Sequence, residues 1–232
     1  MSEIILVVED DKNISDLLEI YLKNEGYDVI TTCSTEEAME SCIKKKFDLA
    51  IIDVMLPGKD GFYLCSELRK HHNFPIIMLT AKSDESSKIT GLTMGADDYI
   101  TKPFLPLEVM ARVKAQIRRY KKYNFQEEKA EETLLTYVGI ELNVKSRECF
   151  VNKKLVSLTP SEFAILRVLL EKQGEVIESE KLLQLVWNNE YYAKNNNTIT
   201  VHIRHLREKL GDKTQKPKYI KTVWGGVGYK IG

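Results

Sequence analysis

Apolar runs of strand length alternate with helical patterns through the first half of the chain. Between the first and second runs, apolar residues recur every three or four positions, the spacing of one helix face. Further helices are predicted after the capping sequence at Ser34 and from Pro106 to about Tyr120. This alternation predicts an α/β domain with a doubly wound parallel sheet. The five predicted strands are Ile4–Val8, Tyr27–Ile30, Leu49–Ile52, Pro75–Leu79 and Tyr99–Ile100.

The pattern changes after residue 123. Residues 124–133 are polar and have no period, which predicts a short linker. From Leu134 apolar residues alternate, which indicates a strand and then a hairpin over residues 148–158. We therefore predict a first domain at 1–123, a linker at 124–133 and a second, α+β domain at 134–232.

Three helices are predicted in the second domain. The first begins at Thr159-Pro160, where a capping residue precedes proline at the first helical position. The second fits Ser179–Trp187, and the third runs from about Asn197 to Leu210 before Gly211, a residue typical of helix C-termini. A Gly-rich hairpin is predicted over 223–230. A third helix in a compact helical unit is the helix-turn-helix arrangement.

Composition excludes several classes of protein. No apolar stretch approaches the roughly 20 residues of a membrane span, and the N-terminal run Ile4–Val8 is too short for a signal peptide. We therefore expect a cytoplasmic protein with no membrane partner. The four cysteines form no Cys-x-x-Cys pair, so no zinc site or redox motif is expected.

A net charge of zero conceals an asymmetry along the chain. Residues 1–123 hold 17 basic and 20 acidic residues, whereas residues 135–232 hold 16 basic and 10 acidic ones. The excess lies in residues 195–232, with 8 basic and 2 acidic residues. A basic end suggests a nucleic-acid partner, although a solvated charge run would give the same count.

Polar residues follow the predicted strands of the first domain. The first strand leads into Glu9-Asp10, the third into Asp53, the fourth into Thr80 and the fifth towards Lys102. A single acid in such a place is most often a turn former or helix cap. Because ligands of open α/β sheets bind at the carboxyl ends of the strands, the coincidence of all four predicts a site there.

These residue types suit phosphoryl chemistry. Crowded carboxylates from Glu9, Asp10 and Asp53 repel one another, and a hard divalent cation, Mg²⁺, would relieve that repulsion. Lys102 supplies a positive charge and Thr80 a hydroxyl donor for an anion. A carboxylate in this setting can attack phosphorus and form an aspartyl-phosphate.

Four segments of the first domain resemble the receiver domain of two-component response regulators. They are residues 6–11 (LVVEDD), 51–58 (IIDVMLPG), 78–81 (MLTA) and 95–104 (GADDYITKPF). The resemblance implies a flavodoxin-like fold, Asp53 as phosphoacceptor and a metal site of Glu9, Asp10 and Asp53. It also implies Thr80 and Tyr99 as a switch pair, Lys102 as the amine that contacts the phosphoryl group, and a cis bond before Pro103.

The third helix of the second domain carries the expected DNA contacts. Its apolar residues, Ile199, Ile203, Leu206 and Leu210, form a narrow stripe. We predict that the remaining surface reads bases and phosphates, although an ordinary amphipathic surface helix remains the alternative. The predicted contacts are Thr200, Val201, Arg204, His205 and Arg207, with Lys230 on the following hairpin.

Residues 158–163 (LTPSEF), 198–211 (TITVHIRHLREKLG) and 228–230 (GYK) resemble the winged-helix effector domain of OmpR/PhoB-type regulators. The resemblance implies binding to promoter DNA and a partnership with RNA polymerase. There are two departures: His205 replaces a frequent arginine, and the hairpin turn at 224–228 is one residue longer than usual. Residues 88–104 and 118–122 resemble the VanR-type regulators in particular, which implies a VanS-type sensor histidine kinase.

The same family resemblance implies a homodimer through the receiver face at 85–120. Lys88 would meet Glu108 of the second copy, and Asp97 or Asp98 would meet Arg112. Each pair would occur twice, because a two-fold interface is self-complementary. Solvated helix charges are the alternative for any single pair.

Two other functions remain open at this level. One is a phosphatase that uses Asp53 as nucleophile, but enzymes of the haloacid-dehalogenase type carry a second Asp two positions later, where this chain has Met55. The other is a winged helix that binds protein, which the basic balance of residues 195–232 disfavours.

Overall fold

The computed structural model describes residues 2–81, 95–125, 134–187, 196–212, 217–223 and 228–232. The chain divides into two compact units, Met1–Arg118 and Arg119–Gly232. Each unit has its own core and is described by itself. Within the described ranges, no helix is both long and apolar enough to cross a membrane.

The first unit contains a five-stranded parallel sheet in the order β2-β1-β3-β4-β5. This order confirms the predicted doubly wound sheet, because the chain first winds to one side of β1 and then to the other. The strands are β1 (Ile4–Val8), β2 (Asp28–Thr32), β3 (Leu49–Asp53), β4 (Ile76–Ala81) and β5 (Asp98–Lys102). Their helices are α1 (Lys12–Asn24), α2 (Thr35–Lys44), α3 (Gly61–His71) and α4 (Pro106–Phe125).

Side-chain caps begin the helices next to the carboxyl ends of the strands. The Asp11 carboxylate accepts hydrogen bonds from the backbone N–H groups of Asn13 and Ile14 at the start of α1. Ser34 caps α2, and Asp60 caps α3. Each cap satisfies a backbone N–H that has no partner within its helix, and fixes where the strand-to-helix turn ends.

The core of this unit lies between the sheet and its helices. All five residues of β3 are buried, and Ile5, Leu6, Val7 and Val8 of β1 have no exposed surface. Leu18 and Leu22 of α1 and Val109 and Val113 of α4 pack in the same cluster. Strands buried on both faces read as continuous apolar runs, which is why the sequence pattern predicted them.

The part of the second unit that the structure describes contains two antiparallel sheets and, after the first sheet in sequence, three helices. Strands β6 (Leu134–Tyr137), β7 (Ile140–Asn143), β8 (Cys149–Val151) and β9 (Lys154–Val156) form a meander. Helices α5 (Pro160–Glu171), α6 (Ser179–Trp187) and α7 (Asn196–Leu210) follow the predicted positions closely. Strand β10 (Ile177–Glu178) pairs with β12 (Gly228–Ile231), which also pairs with β11 (Ile220–Val223).

The end of helix α4 differs from the sequence-based prediction. Helix α4 continues to Phe125, so its last two residues fall in the predicted linker 124–133. The rest of that linker and residues 224–227 of the predicted hairpin turn lie outside the described residues. At α5 the predicted cap is confirmed, because the side chains of Thr159 and Glu162 cap each other's backbone N–H groups.

Candidate functional site

An ionic cluster lies at the carboxyl ends of β1, β3 and β5. Glu9 follows β1, Asp53 ends β3, and the backbone of β5 carries Lys102 to the same edge of the sheet. The Lys102 ammonium donates hydrogen bonds to Glu9 Oε1 at 2.9 Å, Glu9 Oε2 at 2.7 Å and Asp53 Oδ2 at 2.8 Å. The predicted convergence of these strand ends is therefore present.

Three carboxylates at this edge fit a divalent cation. Ligand oxygens of Glu9, Asp10 and Asp53 all lie within 4.8 Å of one another. Glu9 and Asp53 are buried, whereas Asp10 is exposed on the solvent side. Mg²⁺ prefers oxygen ligands in a site that is open on one side, because it retains several waters and binds phosphoryl oxygens. The residues present thus fit the predicted ion.

The electrostatics of the cluster keep Lys102 charged. Burial by itself would lower the pKa of Lys102, but the hydrogen bonds and negative charges of Asp53 and Glu9 together raise it. Burial raises the pKa of Glu9; the hydrogen bond from Lys102 opposes that rise and the charge of Asp53 adds to it. The ammonium thus offsets the repulsion between two buried carboxylates.

Thr80 and Tyr99 lie on the neighbouring strands β4 and β5. Thr80 follows Leu79, which is the register partner of Asp53, and its side chain is buried. Tyr99 is opposite Met78 and is also buried, with 8% of its surface exposed. Both predicted switch residues are therefore buried, on the strands one and two places from β3, which carries Asp53.

Gly61 is part of the site, although the sequence analysis did not single it out. A Cβ atom at this position would lie 2.0 Å from the backbone carbonyl oxygen of Asp53. The Gly61 N–H also donates to the Val54 carbonyl at 3.0 Å. The sequence signal was the Asp60-Gly61 pair at a helix start, where glycine permits a close approach of two backbone segments. The peptide bond from Lys102 to Pro103 is cis, as the family resemblance implied.

The exposed face of α7 retains part of the predicted DNA-contacting set. The stripe Ile199, Ile203, Leu206 and Leu210 is buried, as predicted. Thr200 is exposed, Val201 is half-buried, and 71% of the Arg204 side chain is exposed beside Glu208. On the hairpin, Lys230 is half-buried and pairs in register with the exposed Lys221.

His205 and Arg207 correct the sequence-based prediction, because both side chains are buried with 7% of their surface exposed. The Arg207 guanidinium donates from Nε and Nη2 to the Ile220 carbonyl at 3.1 and 2.7 Å. It also reaches Thr222 Oγ1 at 2.8 Å. Burial lowers the pKa of His205. For Arg207 the reason is that the sequence pattern could not show that β11 reaches this flank of α7.

The predicted dimer face is corrected at Asp97. Its carboxylate is fully buried and accepts from Arg69 Nη2 at 2.7 Å and from the Ile76 N–H at 3.0 Å. It therefore does not face a second copy. Asp98 is also buried and accepts from Arg112 Nη1, while Arg112 Nη2 donates to Glu108 at 2.9 Å. Lys88 lies outside the described residues.

Comparison with known proteins identifies the class. Residues 5–114 match the family model of the response regulator receiver domain. Residues 152–231 match the C-terminal domain of transcriptional regulatory proteins. The structure of response regulator DrrB, a Thermotoga maritima OmpR/PhoB homologue, is 31% identical, with 100% of this chain and 99% of that one covered and a TM-score of 0.52. The chain therefore belongs to the OmpR/PhoB family of two-component response regulators.

Relatives that align over the full chain include VanR-type regulators. Regulatory protein VanR of Enterococcus faecium is 56% identical over 231 residues, covering 100% of this chain and 99% of VanR. VanRc of Enterococcus gallinarum is 52% identical with the same coverage. The alkaline phosphatase synthesis transcriptional regulatory protein PhoP of Bacillus subtilis is 42% identical, covering 100% and 97%. The structure of a RitR mutant gives a TM-score of 0.81 at 28% identity, covering 100% and 99%.

These relatives decide between the functions left open by the sequence. The chain is a response regulator with a receiver and a DNA-binding domain, and its curated relatives are transcriptional regulators. A phosphatase of the haloacid-dehalogenase type is disfavoured by residue type as well, since Met55 is exposed and carries no acid.

Proposed function

We propose that Asp53 accepts a phosphoryl group from a sensor histidine kinase, and that this modification controls DNA binding by the second unit. The observation that carries the proposal is the contact of Lys102 with both Asp53 and Glu9. It places a nucleophilic carboxylate, a fixed positive charge and further acids within one small site. A phosphoryl group on Asp53 would meet all of them.

The chain's own residues account for the transfer. An Asp53 oxygen attacks phosphorus, a phosphorus–oxygen bond forms, and the phosphorus–nitrogen bond of the donor phosphohistidine breaks. Lys102, already 2.8 Å from Asp53 Oδ2, offsets charge on the transferred group. Glu9, Asp10 and Asp53 would hold Mg²⁺, which supplies charge neutralisation for the phosphoryl oxygens when bound. Thr80 follows Leu79, the register partner of Asp53, on β4. Its hydroxyl would donate a hydrogen bond to the phosphoryl group.

The direct test uses acetyl phosphate as a small donor with Mg²⁺. Wild-type protein should gain one alkali-labile phosphoryl group, and Asp53→Asn should gain none. Asp10→Asn should label poorly, since it removes one metal ligand, while Lys102→Ala should label poorly in spite of an intact metal site. Labelling of Asp53→Asn at the wild-type level, or full labelling in EDTA, would contradict the proposal.

We further propose that phosphorylation moves Thr80 and Tyr99 and promotes a homodimer. Tyr99 follows Asp98 directly in β5. The Asp98 carboxylate accepts a hydrogen bond from Arg112 of α4. A change at Tyr99 would therefore be transmitted to Arg112 and Glu108. Of the residues predicted for this face, Asp98 and Arg112 are buried and paired with each other, so the pair proposed between copies is Lys88 with Glu108. An exposed pair is worth only about 0–1 kcal/mol, so it would mainly set the register.

Likeness to the VanR regulators supports a more specific role. We propose a VanS-type histidine kinase as the phosphoryl donor, and control of genes for vancomycin resistance or altered cell-wall precursors. Promoter DNA and RNA polymerase are the partners of the second unit in this proposal, which places the protein in the cytoplasm. Sequencing the genomic DNA retained with and without phosphorylation would identify the regulated genes; retention of random fragments in both states would contradict promoter control.

A further inference from the structure

The end of α7 turns sharply at Gly211. This residue has a φ of +68°, a conformation that glycine adopts without strain. The Gly211 N–H donates to the Glu208 carbonyl at 3.1 Å, and the Asp212 N–H donates to the Arg207 carbonyl at 2.7 Å. These two bonds are those of a Schellman motif. The motif directs the Asp212 side chain back towards the chain that leads into β11.

The Asp212 carboxylate holds the start of β11 through three backbone N–H groups. Oδ1 accepts from Lys218 at 2.5 Å, and Oδ2 accepts from Tyr219 at 3.2 Å and from Ile220 at 2.9 Å. The residue is buried, with 6% of its surface exposed. A buried carboxylate with three donors is well satisfied and geometrically fixed.

Arg207 holds the same strand from the preceding turn of α7. It donates twice to the Ile220 carbonyl and once to Thr222 Oγ1. Ile220 is therefore bonded through its N–H to Asp212 and through its carbonyl to Arg207. Thr200, nearer the start of the helix, lies 3.4 Å from the Tyr229 hydroxyl on β12. The hairpin is thus attached along the length of the helix.

The charge of Asp212 is unfavourable for DNA binding. Residues 195–232 contain 8 basic residues and only 2 acidic ones, Glu208 and Asp212. Glu208 is exposed and pairs with Arg204, whereas Asp212 is buried and pairs with backbone. Coulomb repulsion of phosphates predicts that removal of either acid tightens binding to DNA. The hydrogen bonds of Asp212 predict the opposite for that residue.

We propose that Asp212 is a positioning residue for DNA binding: together with Arg207 it clamps the β11–β12 hairpin to the end of α7. The clamp sets Lys221 and Lys230 of the hairpin relative to Arg204 of the helix, so that one duplex meets all three. The inference rests on the proposed DNA contacts of this unit. It adds that a buried acid, which itself repels DNA, is required for affinity.

The test compares two substitutions that each remove one acid from the same helix end. The probe is a duplex selected from a random pool by full-length wild-type protein with beryllofluoride. Asp212→Asn should bind this duplex about tenfold more weakly, as expected for the loss of a charged hydrogen-bond network. Glu208→Gln, the matched control, should bind as tightly as wild type or more tightly. Because fewer phosphates would then be contacted, the slope of log K against log salt should become shallower in Asp212→Asn but not in Glu208→Gln.

A second readout separates positioning from general loss of folding. Hydrogen exchange at the Lys218, Tyr219 and Ile220 amides should become faster in Asp212→Asn, while the amides of α5 keep their protection. Should Asp212→Asn unfold, Arg207→Lys provides the test, because it keeps the charge but loses the double contact with Ile220. It should also bind more weakly, with a shallower salt slope.

Opposite results would overturn the inference. If Asp212→Asn, or Arg207→Lys in its place, binds DNA as tightly as Glu208→Gln does, the clamp does not serve DNA binding. Failure of the wild-type protein to select any duplex would instead contradict the proposed DNA contacts and, with them, this inference. The wild-type selection and the comparison of variants therefore distinguish the two failures.

Discussion

The Lys102 ammonium lies 2.8 Å from Asp53 Oδ2, although 49 residues separate them in sequence. Parallel strands explain the contact, because β3 and β5 bring their carboxyl ends to one edge of the sheet. The same ammonium contacts Glu9 from β1, so one positive charge joins three strands. The Asp53 carboxylate is therefore held by a charged hydrogen bond from another strand.

Gly61→Ala should displace the backbone of Asp53 and so destabilise the first unit. The new Cβ would lie 2.0 Å from the Asp53 carbonyl oxygen, which is backbone and cannot rotate away. We expect a loss of about 1–3 kcal/mol in the free energy of unfolding, the usual cost of overpacking, measured by urea denaturation. Labelling by acetyl phosphate should slow as well. Gly26→Ala, at a positive φ but with open space around it, is the control for backbone strain alone.

The sequence predicted the convergence of Glu9, Asp53 and Lys102 but not Gly61, for a physical reason. Strand ends can be read from apolar runs, and parallel topology then brings Glu9, Asp53 and Lys102 together. The contact of Gly61 depends on the path of the turn after β3, which carries no periodic pattern. Similarly, β2 extends to Thr32, beyond the predicted end at Ile30, because threonine suits a strand without adding to an apolar run.

Burial of His205 predicts a pH dependence of stability in the second unit. Its folded-state pKa is lowered by burial, so the unfolded state binds more protons below the ordinary histidine value of about 6.5. Stability should be complete above that value and should fall as pH decreases through it. Both tryptophans, Trp187 and Trp224, belong to this unit, so their fluorescence reports its unfolding within the full chain.

The variant His205→Gln should remove this pH dependence between about 6.5 and the lower folded value. Urea midpoints at pH 7.5 and 5.5 should then differ less in the variant than in wild type. His72→Gln, which changes a histidine of the first unit, serves as the control and should leave the tryptophan signal unaffected. An equal pH dependence in His205→Gln and wild type would show that His205 is not the responsible group.

Arg204→Ala should weaken DNA binding through lost electrostatics. Its side chain is exposed on α7, so the loss of a phosphate contact should reduce the slope of log K against log salt by about one unit. Lys172→Ala, which removes a partly exposed cation elsewhere in the second unit, is the control and should leave the slope as it was. If Arg204→Ala retains both wild-type slope and affinity, α7 does not present this residue to DNA.

The DNA-contacting face shows what helical periodicity cannot predict. The predicted burial of the stripe is confirmed, because a periodic apolar face of a helix packs against the core. Its residues are Ile199, Ile203, Leu206 and Leu210. Burial of Arg207 depends on β11, which reaches the flank of α7 after 13 further residues. In the first unit, the burial of Asp97 and Asp98 likewise depends on partners that are distant in sequence. Adjacent residues of a strand point to opposite sides of the sheet. Arg69 therefore pairs with Asp97, and Arg112 pairs with Asp98.

A charge exchange tests the proposed dimer face. In the presence of beryllofluoride, Lys88→Glu and Glu108→Lys should each reduce the dimer fraction measured by analytical ultracentrifugation. The double variant should recover much of it, because a two-fold interface pairs each altered residue with its altered partner. Glu40→Lys, at an exposed site on α2, is the control. Dimerisation of both single variants at the wild-type level would exclude this face.

The most direct measurement is the DNA affinity of full-length protein with and without beryllofluoride, in wild type and in Asp53→Asn. Beryllofluoride binds an acceptor aspartate as a phosphoryl mimic, so only a chain with Asp53 should respond. We expect wild-type affinity for a selected duplex to rise by about tenfold, equivalent to about 1.4 kcal/mol, and Asp53→Asn to show no change. An equal rise in both proteins, or none in wild type, would contradict control of DNA binding through Asp53.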